Sequence, residues 1–224
     1  MTRINIAIDG PAGAGKSTVA KAVAKDMNII YLDTGAMYRA VALKAIQSGF
    51  DTRDQVVLEA LVKDIDIRIE HDGNEQRIFL IGKYVSGDIR TAEVSIGSSN
   101  VAVNPAVRIK LVELQRKIAK DNDVVMDGRD IGTYVLPDAR HKFFLTASIE
   151  ERAKRRYYEM IGKGMSDITI SQIEKDISYR DKNDSSRAFA PLSKASDAIE
   201  IDTTSLSEQE VVDCVLSHIT NKNE

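Results

Sequence analysis

The chain has 224 residues, 43% hydrophobic and 29% charged, a length and balance that suit one folded unit carrying insertions and exclude a disordered chain. Its formal charge of −3 gives no general attraction for nucleic acid, so any phosphate site must be built from locally placed Lys and Arg. One cysteine, Cys214, excludes an internal disulfide, no apolar run reaches the roughly 18 to 20 residues of a membrane helix, and Met1 to Asp9 lacks the layout of a signal peptide, so a cytoplasmic protein is expected.

From the amino terminus, Ile4–Asp9 reads as a strand and Ser17–Met27 as a helix with Val19, Ala20, Val23, Ala24 and Met27 on one face. Ile29–Asp33 reads as a second strand, followed by a helix over Met37–Gln47 that stops at Gly49. Ile65, Ile67 and Ile69 alternate with Asp66, Arg68 and Glu70, which predicts a half-exposed strand. Asp72-Gly73-Asn74 supplies a turn and Arg77–Ile81 an antiparallel partner, so residues 48–90 read as an antiparallel insertion. Asn104-Pro105 opens a helix as N-cap and first-turn proline, with Val107, Leu111, Leu114 and Ile118 on one stripe. Val124–Asp127, Phe143–Thr146 and Ala198–Asp202 are short apolar strands. Ser148 with Glu151, Thr169 with Gln172 and Ser207 with Glu210 predict capping boxes on three further helices, the last carrying Val211, Val212, Val215, Leu216 and Ile219. Short apolar strands alternating with helices predict an α/β fold: a five-stranded parallel sheet flanked by helices, with the insertion as a separate lobe beside it.

Gly10-Pro11-Ala12-Gly13-Ala14-Gly15-Lys16-Ser17 matches G-x-x-x-x-G-K-[ST] at every fixed position, after a strand and at the start of a helix. Glycines let the chain curl until successive N–H groups point at phosphate oxygens, beside the positive end of the helix dipole. Lys16 is placed to reach the β- and γ-phosphates, and Ser17 Oγ to ligate Mg²⁺. The motif says nucleoside triphosphate but does not name a reaction.

Cationic residues fall in four groups. Asp33-Thr34-Gly35-Ala36-Met37-Tyr38-Arg39 and Asp127-Gly128-Arg129-Asp130 each follow a strand, so both emerge at the carboxyl edge of a parallel sheet, where ligands bind. Arg180, Asp184 and Arg187 stand at i, i+4 and i+7, one face if the segment is helical. Arg152, Arg155 and Arg156 sit on the helix opening at Ser148. Each has a plainer alternative: a solvated helix face, a surface ion pair of small worth, or, for Asp130, a cap of the turn or a partner of Arg129. The phosphate loop favours convergence, because phosphoryl transfer between two nucleotides needs many cationic donors at one point.

The run Ile8 to Thr18, then Asp33 to Arg39, Val85-Ser86-Gly87-Asp88-Ile89-Arg90, Asp127-Gly128-Arg129-Asp130-Ile131-Gly132-Thr133 and Ala190-Pro191-Leu192, resembles the bacterial cytidylate kinases, in order from Ile4 to about Thr204. The resemblance implies one P-loop kinase domain over 1–224, with a nucleoside-monophosphate lobe at 48–90 and a helical lid at 150–188. It implies transfer of the γ-phosphate of ATP to CMP or dCMP, with Mg²⁺, in pyrimidine metabolism. By the same resemblance Gly10, Pro11, Ala12, Gly13, Ala14, Gly15, Lys16, Ser17 and Thr18 hold ATP, and Arg39, Arg129 and Arg187 grip the CMP phosphate. Ser99, Arg108 and Asp130 read cytosine, Asp184 takes the sugar hydroxyls, and Thr34 bonds the nucleotide through its hydroxyl. Arg180 bridges the two phosphates, assisted by lid arginines among Arg152, Arg155 and Arg156, of which Arg152 and Arg156 are assigned to ATP. Lys16, Arg129 and Arg180 are thus the expected catalytic groups. The acceptor is already an anionic phosphate, so no Ser-His-Asp array is needed; His71, His141 and His218 are scattered and read as exposed and uninvolved. The expected partners are ATP and CMP or dCMP, with no nucleic acid and no membrane, for a monomer. A kinase for another nucleoside monophosphate is the alternative; a small-acceptor kinase of the shikimate kind is disfavoured by the insertion. A GTPase-like switch is disfavoured because no [NT]-K-x-D run follows a strand.

Overall fold

Five short apolar segments lie side by side as a parallel sheet in the computed structural model, which describes residues 3–73, 75–162, 164 and 168–221. They are β1 (Asn5–Asp9), β2 (Ile30–Asp33), β6 (Val124–Gly128), β7 (His141–Thr146) and β8 (Ile199–Asp202), in the order β2-β6-β1-β7-β8. β1 is central, and its side chains alternate between two cores. Ile6 and Ile8 pack with Val19, Ala20 and Val23 of α1 (Lys16–Met27) and Val211, Val212 and Val215 of α8 (Glu208–Asn221). Ala7 joins Leu32, Met126 and Val112, the last from α5 (Pro105–Asp121), on the opposite face.

Asp33 starts α2 (Thr34–Gln47) by accepting from Ala36 N at 2.9 Å, so this helix begins three residues before the expected Met37. It ends where Gly49 takes φ 74°. The insertion opens with a helix the sequence reading did not place, α3 (Gln55–Lys63), capped by Asp54. Then β3 (Ile67–Asp72) and β4 (Glu75–Leu80) pair antiparallel, Ile69 opposite Ile78, as expected; Gly73 turns at φ 57°, and Asn74 lies outside the described residues. Ile81 is not in the strand: with φ 49° it turns the chain into a third strand, β5 (Lys83–Tyr84). The insertion does not stand apart, because Ile67, Ile78 and Leu80 share an apolar cluster with Val41 of α2 and Leu111 of α5. Gln76 also braces the edge strand β2, accepting from Asp33 N at 2.7 Å and donating to Asp33 O at 3.3 Å.

α4 (Ala92–Val101) was likewise not foreseen. α6 (Ile149–Gly162) and α7 (Ile170–Ser186) pack through Ala153, Met160, Ile173 and Ile177. Ser148 and Thr169 accept from Glu151 N and Gln172 N, each at 3.2 Å, and Ser207 with Glu210 forms the full reciprocal box. His141, expected at the surface, is only 4% exposed, because β7 is an interior strand and the residue sits in register with Ile6.

Candidate active site

The carboxyl ends of β1, β2 and β6 open into a cavity of about 840 Å³. On one wall is the phosphate loop. Gly10 has φ 148°, and a Cβ there would lie 2.0 Å from the carbonyl oxygen of Leu145, so only glycine fits. Gly15, at φ 85°, is the N-cap of α1. Lys16 is 5% exposed and donates to Pro11 O at 2.6 Å. Burial, with the Arg129 charge next in importance, pushes its ammonium down to about 7, a state that a bound anion would reverse.

Ser17 Oγ donates to Asp127 Oδ2 at 2.7 Å, and Tyr31 Oη to the other carboxylate oxygen at 2.9 Å. Burial first, and the Asp33 charge second, raise the Asp127 pKa. Thr34 Oγ1 donates to the Asp127 carbonyl at 2.7 Å, which ties the start of α2 to the tip of β6.

The rest of the cavity wall carries the cationic groups. Arg39 donates to Asp33 at 2.7 Å, and its buried Nε has no hydrogen-bond partner. Arg129 Nε donates to Asp184 Oδ2 at 2.7 Å, while Ser99 Oγ donates to Asp184 Oδ1 at 3.3 Å. Burial opposes the Asp184 charge, but the Arg129, Arg180 and Arg187 guanidiniums hold its pKa below the usual value. Asp130 lies between two arginines: Arg108, fully buried, and Arg187, whose Nη2 donates at 3.2 Å. Asp130 therefore does not pair with Arg129, and its side chain does not cap the turn that follows. Arg180 differs from all of these. Among the described residues it has no ion pair, and its Nε is buried without a partner. Burial, then the Arg129 charge, lowers its pKa to about 10.

The proposed face of Arg180, Asp184 and Arg187 holds only in part. α7 ends at Ser186, and Arg187 is extended at φ −64° and ψ 139°, yet its side chain still reaches Asp130. The three arginines expected in the lid separate. Arg152 is turned away from the cavity: it donates to Ala147 O at 3.0 Å, Ala12 O at 2.9 Å and Asp181 at 2.6 Å, bracing the phosphate loop from behind. Arg155 and Arg156 line the cavity, bonded to Thr203 O at 2.6 Å and Glu159 at 2.7 Å respectively.

The family model described as Cytidylate kinase matches residues 6–221. A curated protein named Cytidylate kinase from Pediococcus pentosaceus is 53% identical over 219 residues, covering 98% of this chain and 96% of that one. Another of the same name, from Halalkalibacterium halodurans, is 49% identical and covers 99% and 100%. This chain belongs to the cytidylate kinase family. Solved structures add the fold alone: an uncharacterized protein from Eubacterium ventriosum at TM-score 0.52 and 17% identity, covering 98% of this chain and 99% of that one, and a gluconokinase from Sinorhizobium meliloti at 0.50 and 13%, covering 98% and 93%.

Three groups of this kinase site escaped the sequence reading. Asp127 was placed at the end of a strand and in a run emerging at the carboxyl edge but was given no role, although a carboxylate closing an apolar strand opposite a phosphate loop was the available signal. Asp33 serves both as helix cap and as partner of Arg39. Thr203, Leu206 and Ser207, from the link between β8 and α8, and Val211 in the first turn of α8 complete the cavity wall beside the loop, and nothing in their spacing announced it.

Proposed function

We propose that this chain transfers the γ-phosphate of ATP to CMP or dCMP, giving CDP or dCDP and ADP. The observation that carries the reading is one cavity holding both a phosphate loop and a second, arginine-lined chamber in which Arg108 and Arg187 clasp Asp130. An oxygen of the CMP phosphate attacks the γ-phosphorus. The bond to the β–γ bridging oxygen breaks, and ADP leaves with the electron pair. Such a transfer needs alignment and charge neutralisation more than a base.

The loop amides of Gly10 to Thr18 and the Lys16 ammonium hold the donor phosphates, with Arg156 at the cavity wall beside them. Arg152 reaches ATP only through the loop it braces in this state. Arg39, Arg129 and Arg187 take the acceptor phosphate, and Arg180, with no ion-pair partner to leave among the described residues, meets the charge that develops between donor and acceptor. Ser99, Arg108 and Asp130 read cytosine, Asp184 the sugar, and Thr34 the nucleotide through its hydroxyl. Residues 48–90 act as the acceptor lobe and 150–188 as the lid. Ser17 Oγ and Asp127 Oδ2, 2.7 Å apart in the cavity wall, suit a hard cation that completes its shell with phosphate oxygens and water. Mg²⁺ bound there would neutralise charge on the β- and γ-phosphates. We take the enzyme to work as a cytoplasmic monomer on free nucleotides, a state that light scattering of the purified chain checks.

An ADP-release assay across CMP, dCMP, UMP, AMP, GMP and dTMP tests the reading. CMP and dCMP should give the highest kcat/KM, and a preference for UMP or a purine overturns it.

A further inference from the structure

The tip of β6 bends sharply. Arg129 and Asp130 leave the strand, and Ile131–Val135 wind into a single π-helical turn. An aspartate just before a helical turn ordinarily caps it, accepting from the first free amides. Asp130 does not, since its carboxylate points at Arg108 and Arg187 instead. The amides are taken from elsewhere. Ile131 N donates to Asp9 Oδ1 at 2.8 Å and Gly132 N to Asp9 Oδ2 at 2.7 Å, one oxygen for each. Asp9 is the last residue of β1, 4% exposed, opposite Gly128 in the sheet register and next to the phosphate loop. The approach is close: a Cβ on Gly132 would stand 3.4 Å from Asp9 Oδ2 and 3.2 Å from Lys142 Cδ.

We infer that Asp9 is a positioning residue for the choice of acceptor base, capping the 131–135 turn in place of Asp130 so that the Asp130 carboxylate is free to face the base. Without it, the two buried amides would lack acceptors and Asp130, the nearest carboxylate in the chain, would be drawn back onto the turn. The inference rests on the proposed reading of Asp130 as a base-reading group and extends it to a residue that touches no substrate.

Asp9→Asn keeps the volume, but turns an NH2 group toward one of the two amide donors. The readout is the ratio of kcat/KM for CMP to that for UMP, measured on the full chain. Both acceptors use the same ATP site, so any disturbance of the phosphate loop or Lys16 cancels in the ratio. The ratio should fall roughly three- to tenfold, the effect of one lost hydrogen bond. Gly132→Ala disturbs the same contact from the other side and should move the ratio in the same direction. If Asp9→Asn fails to fold, Gly132→Ala decides alone. A parent enzyme without preference for CMP over UMP defeats the functional reading itself. A parent with that preference, and folded variants that keep it while losing thermal stability or overall turnover, would make Asp9 merely structural and overturn the inference.

Discussion

Replacing Asp130 with Asn tests base reading at its centre, and the structure sets two separate magnitudes for it. Cytosine presents an N4 amino donor where uracil presents a carbonyl acceptor. A carboxylate accepts from the first and repels the second, whereas an amide can turn its NH2 toward the uracil oxygen. A mismatched polar group in a closed pocket costs about 1 to 3 kcal/mol, so the CMP-to-UMP ratio of kcat/KM should shrink roughly 10- to 100-fold. The second magnitude is structural. Asp130 is 4% exposed and neutralises Arg108, which is wholly buried, and Arg187. Removing one partner of a buried ion pair costs about 3 to 5 kcal/mol, a fall in Tm of roughly 6 to 20 °C for a chain of this size. Activity is therefore assayed well below the variant's own melting transition, with CMP and UMP in parallel. A lower Tm with the parent's selectivity would show that Asp130 is only the counter-ion of two buried arginines, and base reading would have to lie elsewhere in the pocket.

Lys16→Ala should lower kcat by several orders of magnitude with the fold intact, since on the proposed reading its charge acts on the phosphates in transfer; an unchanged kcat would remove the phosphate-loop argument. Arg187→Ala should mainly raise the KM for CMP and Arg180→Ala mainly lower kcat, and steady-state kinetics showing both effects confined to KM would contradict the bridging role. Free Lys16 has its pKa pushed from 10.5 down to about 7, so the folded enzyme binds fewer protons than the unfolded chain between those values. Its penalty on folding is full below pH 7 and relaxes as pH rises toward 10.5, so thermal denaturation across that window should lose part of its upward slope in Lys16→Met. ATP binding should restore the Lys16 charge, with proton uptake near pH 8, seen by calorimetry in buffers of different ionisation heat and absent in Lys16→Met.

What could be read from the chain was what local spacing encodes. The phosphate loop has fixed positions, the parallel strands are short apolar runs, and Asn104 and Ser207 announce their helices by side-chain chemistry within three residues. α4 was illegible for a physical reason. Its sequence, Ala92–Val101, contains Gly97, Ser95, Ser98, Ser99 and Asn100, poor helix formers in isolation. Gly97 is there because α2 passes close by, a Cβ on it meeting Ala42 Cβ at 3.2 Å. α3 carried a legible cap in Asp54, but it fell inside a stretch dominated by the alternating pattern of the strands that follow. The π turn after Asp130 is held by a carboxylate more than a hundred residues earlier, which no window can see. Spacing likewise placed Arg152, Arg155 and Arg156 on one helix but could not say how α6 docks. Arg152 faces the phosphate loop, and the other two face the cavity.

The arginines of the site are not equivalent as sources of catalysis, because most are already committed. Arg39 holds Asp33, Arg129 holds Asp184, and Arg187 holds Asp130 and the carbonyl of Ala190. These pairs fix the guanidiniums in place before any nucleotide arrives, so little ordering remains to be done on binding. The same pairs limit what a phosphate gains from them, since a carboxylate already neutralises part of each guanidinium's charge. Arg180 has no such partner among the described residues, and it sits where burial and the Arg129 charge already disfavour its own charge. An anion beside it relieves that penalty, and an anion whose charge grows during transfer relieves it most. On the proposed reading, differential stabilisation of the transition state, as opposed to tight holding of the ground state, would fall chiefly on Arg180. A kcat loss on Arg180→Ala larger than that on Arg129→Ala or Arg39→Ala is the ordering this requires; the reverse ordering in single-turnover rates would place the developing charge at the acceptor-phosphate arginines instead.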